Sequence, residues 1–180
     1  MLQGAATQLA TAHSLRYGGI DASIAPNTQA ASVVHAFEQL EVGGPGWRFG
    51  ECGTLSVCAM VTAVLKALDV KLVGYSGLML PPAEDLGLAE RANQGTYGIR
   101  DLLQYSAVCG LGLDTVPVAG DVPPQRLAAL LLDIAALAYR LNKPLSARLF
   151  PVPGKAAGEM TAFENQYLCN CNIFAIGGES

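Results

Sequence analysis

The sequence predicts an α/β protein built on a mainly parallel sheet, and three observations predict it. Short apolar segments alternate with stretches of helical period along most of the chain. Residues 111–155 spell out strand, polar turn, long amphipathic helix, second strand and a Pro/Gly turn. The composition is unusually apolar, with 51% hydrophobic and only 14% charged residues among 180, as expected of strands buried on both faces plus a large contact surface. At this length one domain, 1–180, is expected, large enough for a real core.

The segment 111–155 sets the pattern. Pro123 and Pro124 suit the entry to a helix, where the missing N–H costs nothing. Leu127, Leu130, Leu131, Ile134, Leu137, Ala138 and Leu141 then recur at spacings of three and four and form one wide apolar face. Asn142 and Pro144 stop the helix. The flanking segments 113–118 and 145–150 are apolar enough to be buried strands. Two strands joined by such a helix form a βαβ unit, with parallel strands and a right-handed crossover.

Taken from the start, residues 1–17 are Ala-rich and read as helix, closed by Gly18 and Gly19. Residues 20–25 read as a short strand ended by Pro26. Asn27 or Thr28 is placed to cap a helix over 29–40 that carries Val33, Val34, Phe37 and Leu40 on one face. His35 lies near that face, where a lone histidine usually serves structure. A glycine-rich loop, 43–53, opens a long apolar helix over 54–68. A strand over 71–80 ends at Pro81-Pro82, helices follow over 83–92 and 97–108, and the third strand begins beyond Cys109-Gly110. After Lys155 the pattern thins into a loop, 156–162, a possible strand over 163–176 and a flexible tail, 177–180. The count is four or five βα units.

Several segments carry a family likeness. GLDTVPVAGD, LLLDIAALAYRLNKPLSARLFPVPGK and AGEMTAF, with KLVGYSGLMLPPAEDLGLAERA, GTYGIRDLLQYSAVCGLGLDTVP and, more weakly, GGIDASIAPN, resemble the uncharacterised PFL-like family, domain of unknown function 711 (uncharacterised protein family 0210). The likeness covers about residues 19–161, in order, and matches the C-terminal part of usually much longer members. It implies a fold similar to the glycyl-radical enzymes, a barrel of parallel half-sheets, and no settled activity. The fold alone does not bring the chemistry with it. No radical-bearing glycine motif is present, since Gly177-Gly178 sits in an unremarkable tail. Cys169 and Cys171 depart from the polar and aromatic stretch expected of the family there.

Composition excludes several classes. A net charge of −4 provides no basic footprint for nucleic acid. The mean hydropathy is +0.33, yet Asp133 and Arg140 interrupt the best candidate for a membrane-spanning run. No signal peptide is recognisable and the five cysteines are odd in number, so a cytoplasmic protein without a disulfide framework is expected. Cys169-x-Cys171 lacks a second ligand pair, so no metal site is assigned. His13 and His35 have no evident nucleophile partner, against a triad hydrolase. The glycine loop is neither a Walker loop nor a dinucleotide fingerprint, and no cofactor is identified. Its N–H groups at a helix start fit an anion, or the loop is simply a flexible lid or connection. Cys52, near that helix start, is placed for a lowered pKa.

What remains is a polar set around the strands. Ligands in parallel sheets gather beyond the carboxyl ends, which places Asp121 and Lys155 at the expected mouth. Asp114, Thr115 and Arg148 lie inside the strands, where a charge is costly unless paired or facing a cavity. Two readings stay open. In one, Asp114 and Arg148 form an ion pair that fixes register. In the other, Asp114 and Asp121 are catalytic proton-transfer groups, while Thr115, Arg148 and Lys155, joined by Asp21 and the glycine loop, bind a small carboxylate or phosphate metabolite. Half a barrel also leaves edges and an apolar face exposed. A homo-oligomer, or a second chain supplying the N-terminal half, is therefore expected. The alternative function is a noncatalytic or regulatory half-barrel that completes a partner chain.

Overall fold

The structure is a computed structural model that describes residues 2–29 and 31–177. Its elements run α1 (Leu2–Ala12), α2 (Val33–Glu38), α3 (Thr54–Lys66), α4 (Leu86–Asn93), α5 (Ile99–Tyr105), β1 (Gly112–Ala119), α6 (Pro124–Leu141) and β2 (Ser146–Val152). The chain is thus mixed α/β, and the expected βαβ unit is β1–α6–β2, with its strands parallel. Every residue of β1 is buried, as its unbroken apolar run requires, whereas β2 is half-exposed along one edge. On the other side of β1, Phe174 adds a single parallel bridge to Val118, its N–H donating to the Pro117 carbonyl at 2.9 Å.

The sheet is smaller than four or five βα units would give: two strands, not closed. The expected strands 20–25 and 71–80 shrink to one parallel bridge, Ile20 to Leu72. The Asp21 carboxylate accepts the N–H groups of Tyr75 and Ser76, and Gly74 and Ser76 turn at positive φ, so that backbone bends instead of extending a ladder. Residues 163–176 likewise keep only two bridges, because the Asn170 side chain takes the Phe163 N–H. Helix boundaries move by a few residues for similar local reasons. Ser32 caps α2 in place of Asn27, whose side chain accepts from the Gln29 N–H, and Asp85 caps α4. Met1 and Ala30, within the expected helices 1–17 and 29–40, and residues 178–180 of the expected tail lie outside the described residues.

The core lies between β1 and α2 to α5. Phe49 is fully buried and meets Tyr97 and Tyr105 edge-on, with ring centroids 5.4 and 5.6 Å away. Phe49 and Trp47 both come from the glycine-rich loop. There the Trp47 indole donates to the Cys52 carbonyl, and the Phe49 N–H donates to Glu38. Trp47 and Phe49 thus anchor the loop in the core, while most of its other residues stay exposed. α6 departs from expectation in the other direction. Only Leu130 and Ile134 are buried, while Leu131, Leu132, Leu141 and Tyr139 face outward. A two-stranded sheet is too narrow to cover the apolar face of an 18-residue helix. Met60 and Val64 of α3 are exposed as well, and α1 buries no residue. Among the described residues no helix is long and apolar enough to cross a membrane.

Candidate functional site

The site starts from an irregularity in β1. Leu113 pairs with Ala147 and Val116 with Leu149, so Asp114 and Thr115 together oppose the single residue Arg148. That is a β-bulge, and such bulges re-aim side chains beside functional sites. Thr115 takes the left-handed conformation, φ 43°, which is strained for a β-branched residue. Its carbonyl accepts the Ala83 N–H at 3.3 Å, tying the bulge to the turn after Pro81-Pro82. Its fully buried hydroxyl has no hydrogen-bond partner among the described residues.

The bulge and that turn bring three charges together. Arg148 Nε donates to Asp114 Oδ1 at 2.5 Å, and Arg148 Nη2 donates to Glu84 Oε1 at 2.9 Å. Exposure is graded across the trio: the side chains of Asp114, Glu84 and Arg148 are 5%, 24% and 51% exposed. With Tyr75, Met79, Leu111 and Ser146 they line a half-open cavity of about 360 Å³. Burial pushes the Glu84 pKa up and the nearby Asp114 charge pushes it further, against the pull of Arg148. The Asp114 hydrogen bond holds Arg148 more firmly protonated than usual. With both acids ionised the trio carries one net negative charge, so Arg148 is already balanced twice over.

The expected site residues therefore divide. Asp114, Thr115 and Arg148 come together at the bulge. Asp121 is exposed beyond the end of β1, on a separate depression of about 260 Å³ shared with Val122, Pro123 and Arg126. Lys155 lies beyond the end of β2, where its carbonyl accepts the Gly120 N–H at 3.3 Å, and its side chain lines neither cavity. Glu84 is the residue that sequence reasoning missed. Its signal was the Pro81-Pro82 turn that delivers it to the bulge, but nothing local linked that turn to Thr115.

The remaining candidates lie away from the bulge. Asp21 is a latch on the 74–77 turn. The Ser23 hydroxyl, followed by N–H groups of Ser23, Ser76 and Tyr75, outweighs burial and lowers its pKa. His35 Nε2 lies 3.1 Å from Glu90 and so bridges α2 to α4. Cys171 is buried and its thiol is pushed up to about 12 by burial, then by Cys169, which suits packing rather than reactivity. Cys52 is exposed.

Comparison with known sequences then decides the family: residues 1–165 match the family described as Uncharacterised ACR (DUF711). The chain belongs to this family. Among its relatives are a UPF0210 protein of Limosilactobacillus reuteri, 32% identical over 154 residues, and one of Pyrobaculum islandicum, 38% identical over 148. These alignments cover 83% and 80% of this chain but only 34% and 32% of the relatives. A UPF0210 protein of Pyrobaculum arsenaticum is 36% identical over 147 residues. The chain thus spans about a third of the length of the curated relatives it matches. No solved structure matches the chain.

Proposed function

We propose that the chain forms one wall of a small-molecule site in which Glu84 exchanges a proton with a bound anionic metabolite, while Asp114 and Arg148 hold Glu84 in place and set its charge. The observation that carries this reading is the Asp114–Arg148–Glu84 chain along one side of an open cavity. Asp114 is buried and bonded to Arg148, which makes it the anchor. Glu84 is less buried, lies at the cavity and has a raised pKa, the usual tuning of a general acid or base. The unpartnered Thr115 hydroxyl and the strained bulge are features that proteins keep at working sites. The trio's net negative charge opposes an anionic group in direct contact, so the ligand presents its neutral, proton-exchanging end here.

The wall is incomplete in a way that fits part of a barrel. β2 is an edge strand and the apolar residues of α3 and α6 face outward. A second copy, or the further chain that family-length proteins carry, closes the cavity in this reading. The alternative is a noncatalytic half-barrel in which the trio only braces the bulge, which the simultaneous bonding of Arg148 to both acids favours.

Native mass spectrometry of the purified protein separates the two. The enzyme reading expects a retained small molecule whose occupancy falls in Glu84→Gln while the fold persists. An empty protein that Glu84→Gln changes only in stability supports the bracing reading.

A further inference from the structure

A second cavity, of about 330 Å³, shares Tyr75 in its lining with the Glu84 cavity. Two lysines line it, Lys66 at the end of α3 and Lys143 just after α6. Lys66 Nζ donates to the Tyr75 carbonyl at 2.6 Å. Lys143 Nζ donates to the carbonyls of Ser106, the C-cap of α5, and Cys109 in the turn that follows it, both buried. Neither ammonium forms an ion pair among the described residues. An ammonium has three donors, so Lys66 keeps two unused and Lys143 one. Burial lowers the Lys143 pKa; the neighbouring Cys109 thiol works against this, and the Lys66 charge adds to it, so the cavity places two cations near one another. The buried hydroxyl of Thr62 lines the same cavity and has no hydrogen-bond partner.

Two cations paired with no carboxylate, spare donors and an orphaned hydroxyl around one hollow suit an acceptor-rich, doubly charged occupant. We propose that this cavity is a phosphate subsite, holding the phosphate group of a small phosphorylated metabolite by Lys66, Lys143 and Thr62. A phosphate dianion matches the two positive charges and accepts all the spare donors at once. Gly110 and Leu111, neighbours in sequence, line one cavity each. A compact metabolite therefore spans both, with its phosphate on the lysines and its reacting end toward Glu84. The assignment of the reacting end rests on the function proposed above, whereas the phosphate contact does not.

Isothermal titration of inorganic phosphate into the full chain tests the contact. Wild type is expected to bind one phosphate saturably, and Lys66→Gln to weaken it about tenfold, as loss of a charge-assisted hydrogen bond does. Lys66 is exposed, so this variant spares the core, whereas Lys143→Gln would also uncap α5. Thr62→Val is expected to weaken phosphate in the same direction, and Glu84→Gln to leave it unchanged. Absence of saturable binding, equal binding by Lys66→Gln, or loss in Glu84→Gln would each overturn the subsite. A failed proton-transfer role for Glu84 would leave all these phosphate results intact.

Discussion

Replacing Arg148 by alanine leaves two carboxylates side by side with no cation between them. Removing one partner of a buried ion pair costs about 3–5 kcal/mol, because the other charge stays desolvated. Asp114 meets that condition, but the half-exposed guanidinium shows that water reaches the trio's outer side. We therefore expect about 2 kcal/mol from Arg148→Ala, roughly 4–8 °C in Tm for a chain of this size. Glu84→Gln should behave in the opposite way. Glutamine still accepts from Arg148 Nη2, while the repulsion from Asp114 disappears, so the variant should be as stable as wild type or slightly more so at neutral pH.

The pH dependence has a definite sign. Glu84 has a raised pKa in the folded protein, so ionising it costs the fold. The advantage of Glu84→Gln is absent at low pH. It grows as pH rises past the unfolded glutamate value of about 4.3, and it levels off above the folded pKa. Urea denaturation of wild type and both variants across this range is the assay. Equal destabilisation by both variants, or an advantage of Glu84→Gln that shrinks with rising pH, would refute the charge balance described here.

Other perturbations have equally specific outcomes. Thr115→Val keeps the shape and removes an unpartnered buried hydroxyl, so it should raise stability by about 1 kcal/mol in thermal melts; a loss would mean that the hydroxyl has a partner. Gly112→Ala should cost more than about 1 kcal/mol, since Gly112 sits at φ 116° and an added Cβ would lie 2.5 Å from the Ser146 carbonyl oxygen. In the Glu38–Arg91 pair burial works against the Glu38 charge, but two hydrogen bonds from Arg91 overcome it and hold its pKa down. Its stabilisation is present above the unfolded value and is lost as pH falls through the folded one, so Glu38→Gln should destabilise at pH 7 and lose that effect in acid titration. Light scattering at micromolar concentration should show an assembly larger than one chain, given the apolar residues that α3 and α6 leave outward; a stable monomer would count against closure by a second copy.

The parts of the fold that sequence revealed are those fixed by local rules. α6 announces itself by its period and its two entry prolines, and α3 by a glycine before an apolar run. β1 and β2 follow from the helix between them. The segments 20–25, 71–80 and 163–176 misled because their apolar content is strand-like, while Asp21 and Asn170 divert the backbone N–H groups that a ladder would use. The glycine loop hid its role for a related reason, since the burial of Trp47 and Phe49 depends on partners far along the chain. At the site, the pairing of Asp114 with Arg148 was legible because a carboxylate in a buried strand calls for a cation, and Arg148 lies in the neighbouring strand. Glu84 was not, because it reaches the bulge through the contact between Ala83 and Thr115. Asp121 and Lys155 sit at the strand ends where the general rule for parallel sheets placed them, away from the bulge that gathers the other three.

The central claim is that the trio tunes Glu84 for proton exchange. Carbon-detected NMR titration of the Glu84 carboxyl measures this directly, in wild type and in Asp114→Asn. The account predicts that wild-type Glu84 titrates above the ordinary glutamate range and that Asp114→Asn moves it down, since a neighbouring negative charge is gone and Arg148 turns wholly to Glu84. An ordinary value that Asp114→Asn leaves in place would contradict it.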